Sequence, residues 1–203
     1  MKPAVAATTL RQVLKATGGF SGETEDDAYG FAAARDWIRA ILAGAVRPPG
    51  EAFDYSNGGA HLLSAILVQA TGQSVLEYAR VKLFDPLGIE TRPALEVQPV
   101  ERERDRYARA GFAWLVDPQG RHLGSGFMKL KPADLAKLGV LFSMRGAGRA
   151  GRSFLLPGYA KQQLISSVPS KPAMGSPTAM DTCGGRPPFR TIRPTWPTDM
   201  ADR

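Results

Sequence analysis

Tyr55-Ser56-Asn57 is the tripeptide in this 203-residue chain best equipped for chemistry. A phenol and a carboxamide two positions apart, held where an extended segment meets a helix start, can both face one cavity. The phenol can move a proton once a neighbouring cation lowers its pKa. The amide, with a donor and an acceptor, can hold a substrate carbonyl or orient a lysine. Tyr-x-Asn alone is a weak signal, since chance produces it in roughly one chain in five of this length. The plain alternative is a turn in which Asn57-Gly58-Gly59 supplies positive φ.

The surrounding elements decide between the two. Pro48-Pro49-Gly50 breaks the helix before the tripeptide, and Phe53 is expected to anchor the extended run into Tyr55. From Gly59 onward Leu62, Leu63, Ile66, Leu67 and Ala70 recur at helical spacing, and Thr71-Gly72 ends the pattern. Ser74-Val75-Leu76-Glu77 is a capping box for a further helix carrying Leu76, Ala79 and Leu83 to Pro86. Pro-Gly, four residues, Tyr-Ser-Asn, an apolar helix, Thr-Gly, a capped helix and Pro-Leu-Gly follow in that order. This arrangement resembles the middle of the serine β-lactamase and penicillin-binding family. The likeness is closest to the class C-like branch that includes D-alanyl-D-alanine carboxypeptidases and esterases. The family's active-site tyrosine and asparagine match Tyr55 and Asn57.

The resemblance implies acyl transfer through an acyl-enzyme on a β-lactam, D-alanyl peptide or small ester, with no cofactor. The family's serine attacks the carbonyl while a lysine three residues later and the tyrosine handle its proton. No lysine here has a serine three positions before it, and there is no Lys-Thr-Gly. The stretch from Thr8 to Gly19 is similar to a family segment downstream of the nucleophile, so the chain is expected to begin past it and to be catalytically silent. Ser56 has no lysine or histidine base in view. His61 reads as an ordinary helix residue near the cleft, no acid partner being placed for it. His122-Leu123-Gly124 has the letters of the family's His-x-Gly, but it precedes the Asp134 helix where the family's motif follows, so it reads as hairpin.

Other elements are legible by pattern. Thr8 or Thr9 caps a helix with Leu10, Val13 and Leu14 that ends at Gly18-Gly19. Glu23, Glu25, Asp26 and Asp27 gather at the start of a second, whose stripe includes Phe31, Trp37, Ile38, Ile41 and Leu42. Residues 92–110 read as loop. A hairpin follows, with Asp117-Pro118-Gln119-Gly120 as its turn. Pro132 opens a helix with Leu135, Leu138, Leu141 and Phe142 on its apolar face. Lys131 stands where the family has a capping threonine, so that start is expected to fray. Gly146 to Gly151 spells G-x-G-x-x-G, but no strand-turn-helix unit surrounds it and dinucleotide binding is rejected. A last helix is expected from Pro157 to about Ser167.

Composition sets the outer limits. With 43% hydrophobic residues, one core-bearing domain is the default. The fold class implied is α+β and mostly helical: the helical subdomain of the β-lactamase/transpeptidase-like fold, with most of the central antiparallel sheet missing. Residues 1–170 would form this partial domain and 171–203 a Pro/Gly/Arg-rich, disordered tail. No apolar run is long enough to span a membrane, no signal peptide is visible, and compartment is left open. Two distant histidines and one cysteine give no metal spacing. A net charge of +7 would suit nucleic acid, but the arginines near 102–109 alternate with acids, so no nucleic-acid partner is expected. The alternatives are a non-catalytic ligand-binding relic and a basic nucleic-acid-associated helical protein.

Overall fold

Side-chain oxygens set most of the helix starts. In a computed structural model that describes residues 3–20, 29–44, 47–147 and 153–155, a short α1 (Pro3–Ala6) precedes α2 (Leu10–Leu14). Thr9 and Gln12 cap α2 reciprocally: the Gln12 N–H donates to Thr9 Oγ1 at 3.3 Å and the Thr9 N–H to Gln12 Oε1 at 2.8 Å. This helix ends well before Gly18, and Ala16 takes a positive φ of 52°. The acidic cluster at 23–27, the helix expected over 157–167 and the tail from 171 lie outside the described residues.

The single helix expected through Phe31 and Leu42 is split. A 3-10 turn at Gly30–Ala33 runs into extended Ala34, and α3 (Trp37–Gly44) then starts afresh. Its first turn is capped by Asp36, whose Oδ1 accepts the Arg39 N–H at 3.0 Å. The predicted stripe survives the break. Trp37 and Ile41 are buried, and Phe31, Ile38 and Leu42 pack around them.

The helix α4 (Asn57–Thr71) opens two residues earlier than its apolar spacing indicates, because Ser56 caps it, and Gly72 closes it at φ 69°. Ser74 and Glu77 form the expected capping box of α5 (Val75–Ala79). The chain then widens into a π-helical turn, Arg80–Phe84, and a 3-10 turn, Asp85–Leu87. Leu76, Phe84, Ile89 and Phe112 close one core region under these turns.

Residues 92–110 are not simply loop. They hold β1 (Ala94–Val97), a 3-10 turn and α6 (Arg104–Arg109). β1 pairs in parallel with β2 (Phe112–Leu115), and β2 pairs antiparallel with β3 (Met128–Lys129). Four residues of Ala-Leu-Glu-Val are too short for an alternation signal, and their pairing partner is distant in sequence. The charges of α6 do pair along its surface, Arg106 with Glu103 at 2.6 Å and Arg104 with Glu101 at 3.2 Å. In the last helix, α7 (Pro132–Ser143), Lys131 provides no side-chain cap, yet its carbonyl accepts the Asp134 and Leu135 N–H groups at 2.9 and 3.0 Å. Asp134 pairs with Lys137 at 2.7 Å, and Lys137 also donates to the Gly88 carbonyl. The start expected to fray is a regular turn. Leu138 and Leu141 face inward, whereas Leu135 and Phe142 are exposed.

The turn at Asp117–Gly120 is as predicted, with Gly120 N–H on the Asp117 carbonyl at 2.9 Å and His122 bridged to Val116. This hairpin is strapped to α4. A Cβ on Gly124 would lie 2.2 Å from the Ala60 carbonyl oxygen, so only glycine permits the approach. The Nε2 of fully buried His61 lies 3.3 Å from Oδ2 of fully buried Asp117. Asp117 also accepts the Gln119 and Arg121 N–H groups at 2.9 and 2.8 Å, and it pairs with the Arg121 guanidinium at 3.3 Å.

Two outcomes follow. Lys131→Thr should raise unfolding stability by about 0.5–1 kcal/mol in a denaturant titration, by adding a cap oxygen. Burial pushes the Asp117 carboxyl upward, but the bonds from His61 and Arg121 outweigh it and hold the pKa below the usual value. A depressed folded pKa makes its contribution complete above the unfolded value of about 4 and lost as pH falls through the folded one. Stability should therefore drop on the acid side of pH 4, and Asp117→Asn should flatten that limb.

Candidate active site

Tyr55 reaches its position along backbone that is tied down one residue earlier. The turn after α2 lies against residues 47–54: Arg47 N–H donates to the Gly19 carbonyl at 3.2 Å, Gly50 N–H to Thr17 at 2.7 Å and Asp54 N–H to Ala16 at 2.8 Å. Gly19, at φ 74°, sits so close that a Cβ would come within 2.1 Å of the Arg47 carbonyl oxygen. An ion pair between Arg47 and Asp54 at 3.0 Å closes the same stretch. Phe53 does not anchor it. That ring is about half exposed, and the backbone bonds do the holding.

From there the chain turns into α4, and the two candidate residues meet. The Tyr55 hydroxyl donates to Asn57 Oδ1 at 3.0 Å. Tyr55 is 65% exposed, whereas Asn57 is 6% exposed. A phenol open to solvent is thus tethered to an amide rooted in the protein. The Ser56 hydroxyl between them accepts the Gly59 N–H at 2.9 Å, so its oxygen serves the helix start. Gly58 lets α4 pack closely against α3 here. A Cβ at Gly58 would meet Ile41 at 3.1 Å, and one at Gly59 would meet Phe20 at 3.5 Å.

The two histidines occupy different surroundings. His61, one turn after Asn57, has the acid partner that the sequence does not place, in Asp117, 56 positions away. It is wholly buried, so it is not a solvent-facing base. His122 belongs to the hairpin, as read from sequence, and is also buried. Its Nε2 lies 3.0 Å from Glu96 Oε2 and its ring 4.9 Å from that of Trp114. Burial lowers the His122 pKa more strongly than Glu96 raises it, so this ring is mainly neutral at pH 7. Sequence reasoning missed Asp117 as a partner because its Asx turn signals only local geometry.

Among the described residues, no helix is long and apolar enough to cross a membrane. A solved structure of a putative 6-aminohexanoate-dimer hydrolase from Bacillus anthracis shares the fold, with a TM-score of 0.55 at 18% identity; the match covers 76% of this chain and 40% of that one. The mitochondrial serine beta-lactamase-like protein LACTB of Bos taurus is 33% identical over 129 residues, 59% of this chain and 23% of the relative. The Mus musculus protein of the same name is 33% identical over 126 residues, 58% of this chain and 22% of the relative. This chain therefore spans less than a quarter of the length of these curated relatives. The family model described as Beta-lactamase matches residues 2–180. With that match across most of its length, and with the helix-dominated fold around Tyr55 and Asn57, the chain belongs to the beta-lactamase family of serine hydrolase-like proteins.

Proposed function

We propose that residues 1–170 form a partial serine-hydrolase domain, the helical part of the fold with most of the central antiparallel sheet missing, and that Tyr55 and Asn57 form one wall of its substrate site. The observation that carries this reading is the Tyr55–Asn57 hydrogen bond at the capped start of α4, with the phenol open to solvent. With its proton given to Asn57, the Tyr55 oxygen presents lone pairs to a ligand's N–H or O–H donor at a position fixed by the buried amide. The substrate class is a β-lactam, D-alanyl peptide or small ester, all of which offer an acyl carbon to a nucleophile.

This sequence has no Ser-x-x-Lys and no Lys-Thr-Gly, and the Ser56 oxygen is engaged in capping. Without a nucleophile and its base, such a unit keeps at most the residual rate due to binding and oxyanion donors. On this reading residues 1–203 supply one wall of a serine-hydrolase site, and turnover needs a nucleophile and base that they do not contain.

Incubation with a fluorescent penicillin should give no covalent band on a denaturing gel and saturable, reversible binding by anisotropy. A covalent band would overturn the inactivity, and absence of saturable binding to any of the three ligand classes would overturn the wall. Tyr55→Phe should leave unfolding stability within about 0.5 kcal/mol, as expected of an exposed side chain. The same change should weaken the reversible binding, as read in that anisotropy titration.

A further inference from the structure

We propose that His61 is a positioning residue for the Tyr55–Asn57 pair: its bond to Asp117 locks the first turn of α4 against the 116–124 hairpin and so fixes where the asparagine amide points. The importance of that pair rests on the proposed function, but the claim concerns geometry and is tested apart from acyl chemistry.

The first turn of α4 is weak by composition. Two successive glycines, Gly58 and Gly59, bring little helix propensity of their own to this turn. Its shape must therefore come from what surrounds it. On one side Ile41 and Phe20 fill the space the glycines leave. On the other stands the hairpin, where Gly124 approaches both the Ala60 carbonyl and the Ser64 hydroxyl. Asn57 and His61 are four residues apart and both buried, so they share one face of the helix.

His61 is held on every side. The Gly124 N–H is directed at Nδ1 at 3.4 Å, which assigns the proton to Nε2 and makes it the donor to Asp117. Phe31 stacks on the ring at 6.2 Å with planes 6° apart, and the Trp37 ring meets it edge-on at 5.7 Å. Asp117 in turn is fixed by two backbone N–H groups and Arg121. A ring kept only to fill space between Phe31 and Trp37 would need no polar partner at either nitrogen. Here both nitrogens face the hairpin, and the ring itself is part of α4.

The test compares His61→Phe, which keeps an aromatic ring but not the donor, with His61→Gln, which puts an amide N–H close to the place of Nε2. Two NMR readouts apply: the Asn57 side-chain amide cross-peak, and hydrogen exchange at the Ala60 N–H, which donates to the Ser56 carbonyl. His61→Phe should displace the cross-peak and speed Ala60 exchange by about tenfold or more, the effect of losing one hydrogen bond to a charged group. Exchange in α5 should stay as in the parent protein, and His61→Gln should bring Ala60 back to within about threefold. An unmoved Asn57 cross-peak in His61→Phe, or equal losses in both variants, would overturn the proposal. If His61→Phe does not fold, Asp117→Asn, which keeps the side chain's shape, should show a partial loss in the same direction. No change in Asp117→Asn would overturn the proposal equally. Loss of penicillin binding with both readouts intact would instead count against the functional reading alone.

Discussion

Close approach at the start of α4 is the constraint on which the rest depends. A glycine pair faces Ile41 and Phe20 on one side, and Gly124 meets the Ala60 backbone on the other. At Gly124 a single methyl group would push helix and hairpin apart, and at Gly58 the Ile41 side chain would have to give way, because packed interiors have little slack. The helix start is therefore defined by neighbours distant in sequence more than by its own residues. Ser56 contributes the local share, through its bond to the Gly59 N–H.

From that constraint the site takes its polarity. The amide of Asn57 sits within the packed layer and the phenol of Tyr55 stands outside it, joined by one hydrogen bond. The outer group is open to solvent, while the inner one is buried. The buried His61–Asp117 pair lies one turn deeper and ties two chain segments 56 residues apart. Removing the His61 ring would leave the buried Asp117 carboxylate short of one hydrogen bond, at an expected cost of about 1.5–3 kcal/mol. Structural demand alone is thus reason to keep both residues.

Much of this was legible in the sequence wherever the physics is local. The capping boxes at Thr9 and Ser74, the stop at Gly72 and the turn at Asp117 need only a few consecutive residues, and each stands where its letters put it. Tyr55 and Asn57 were legible as a pair through the order of the elements around them. What escaped is non-local. β1 is four residues long and exists by pairing with β2, and the partner of His61 lies on a hairpin that no spacing rule connects to α4. Phe53 misled because hydrophobicity suggested an anchor where backbone hydrogen bonds serve instead. The broken helix before Trp37 shows a similar competition: the apolar stripe was read correctly, but Asp36 offers a cap that restarts the helix within it.

The π-helical turn at Arg80–Phe84 sets a different kind of requirement, one of length. A wider turn accommodates one more residue than an α-helical turn, so it shifts the phase of all that follows. Here that phase lets Leu76 and Phe84 share a core while Arg80 reaches Thr91, donating to its hydroxyl and its carbonyl at 2.9 Å each. Losing any one residue between Ala79 and Asp85 would rewind the segment to an ordinary helix and rotate one of those contacts out of place. Over this stretch the number of residues is constrained along with the identities of Arg80 and Phe84.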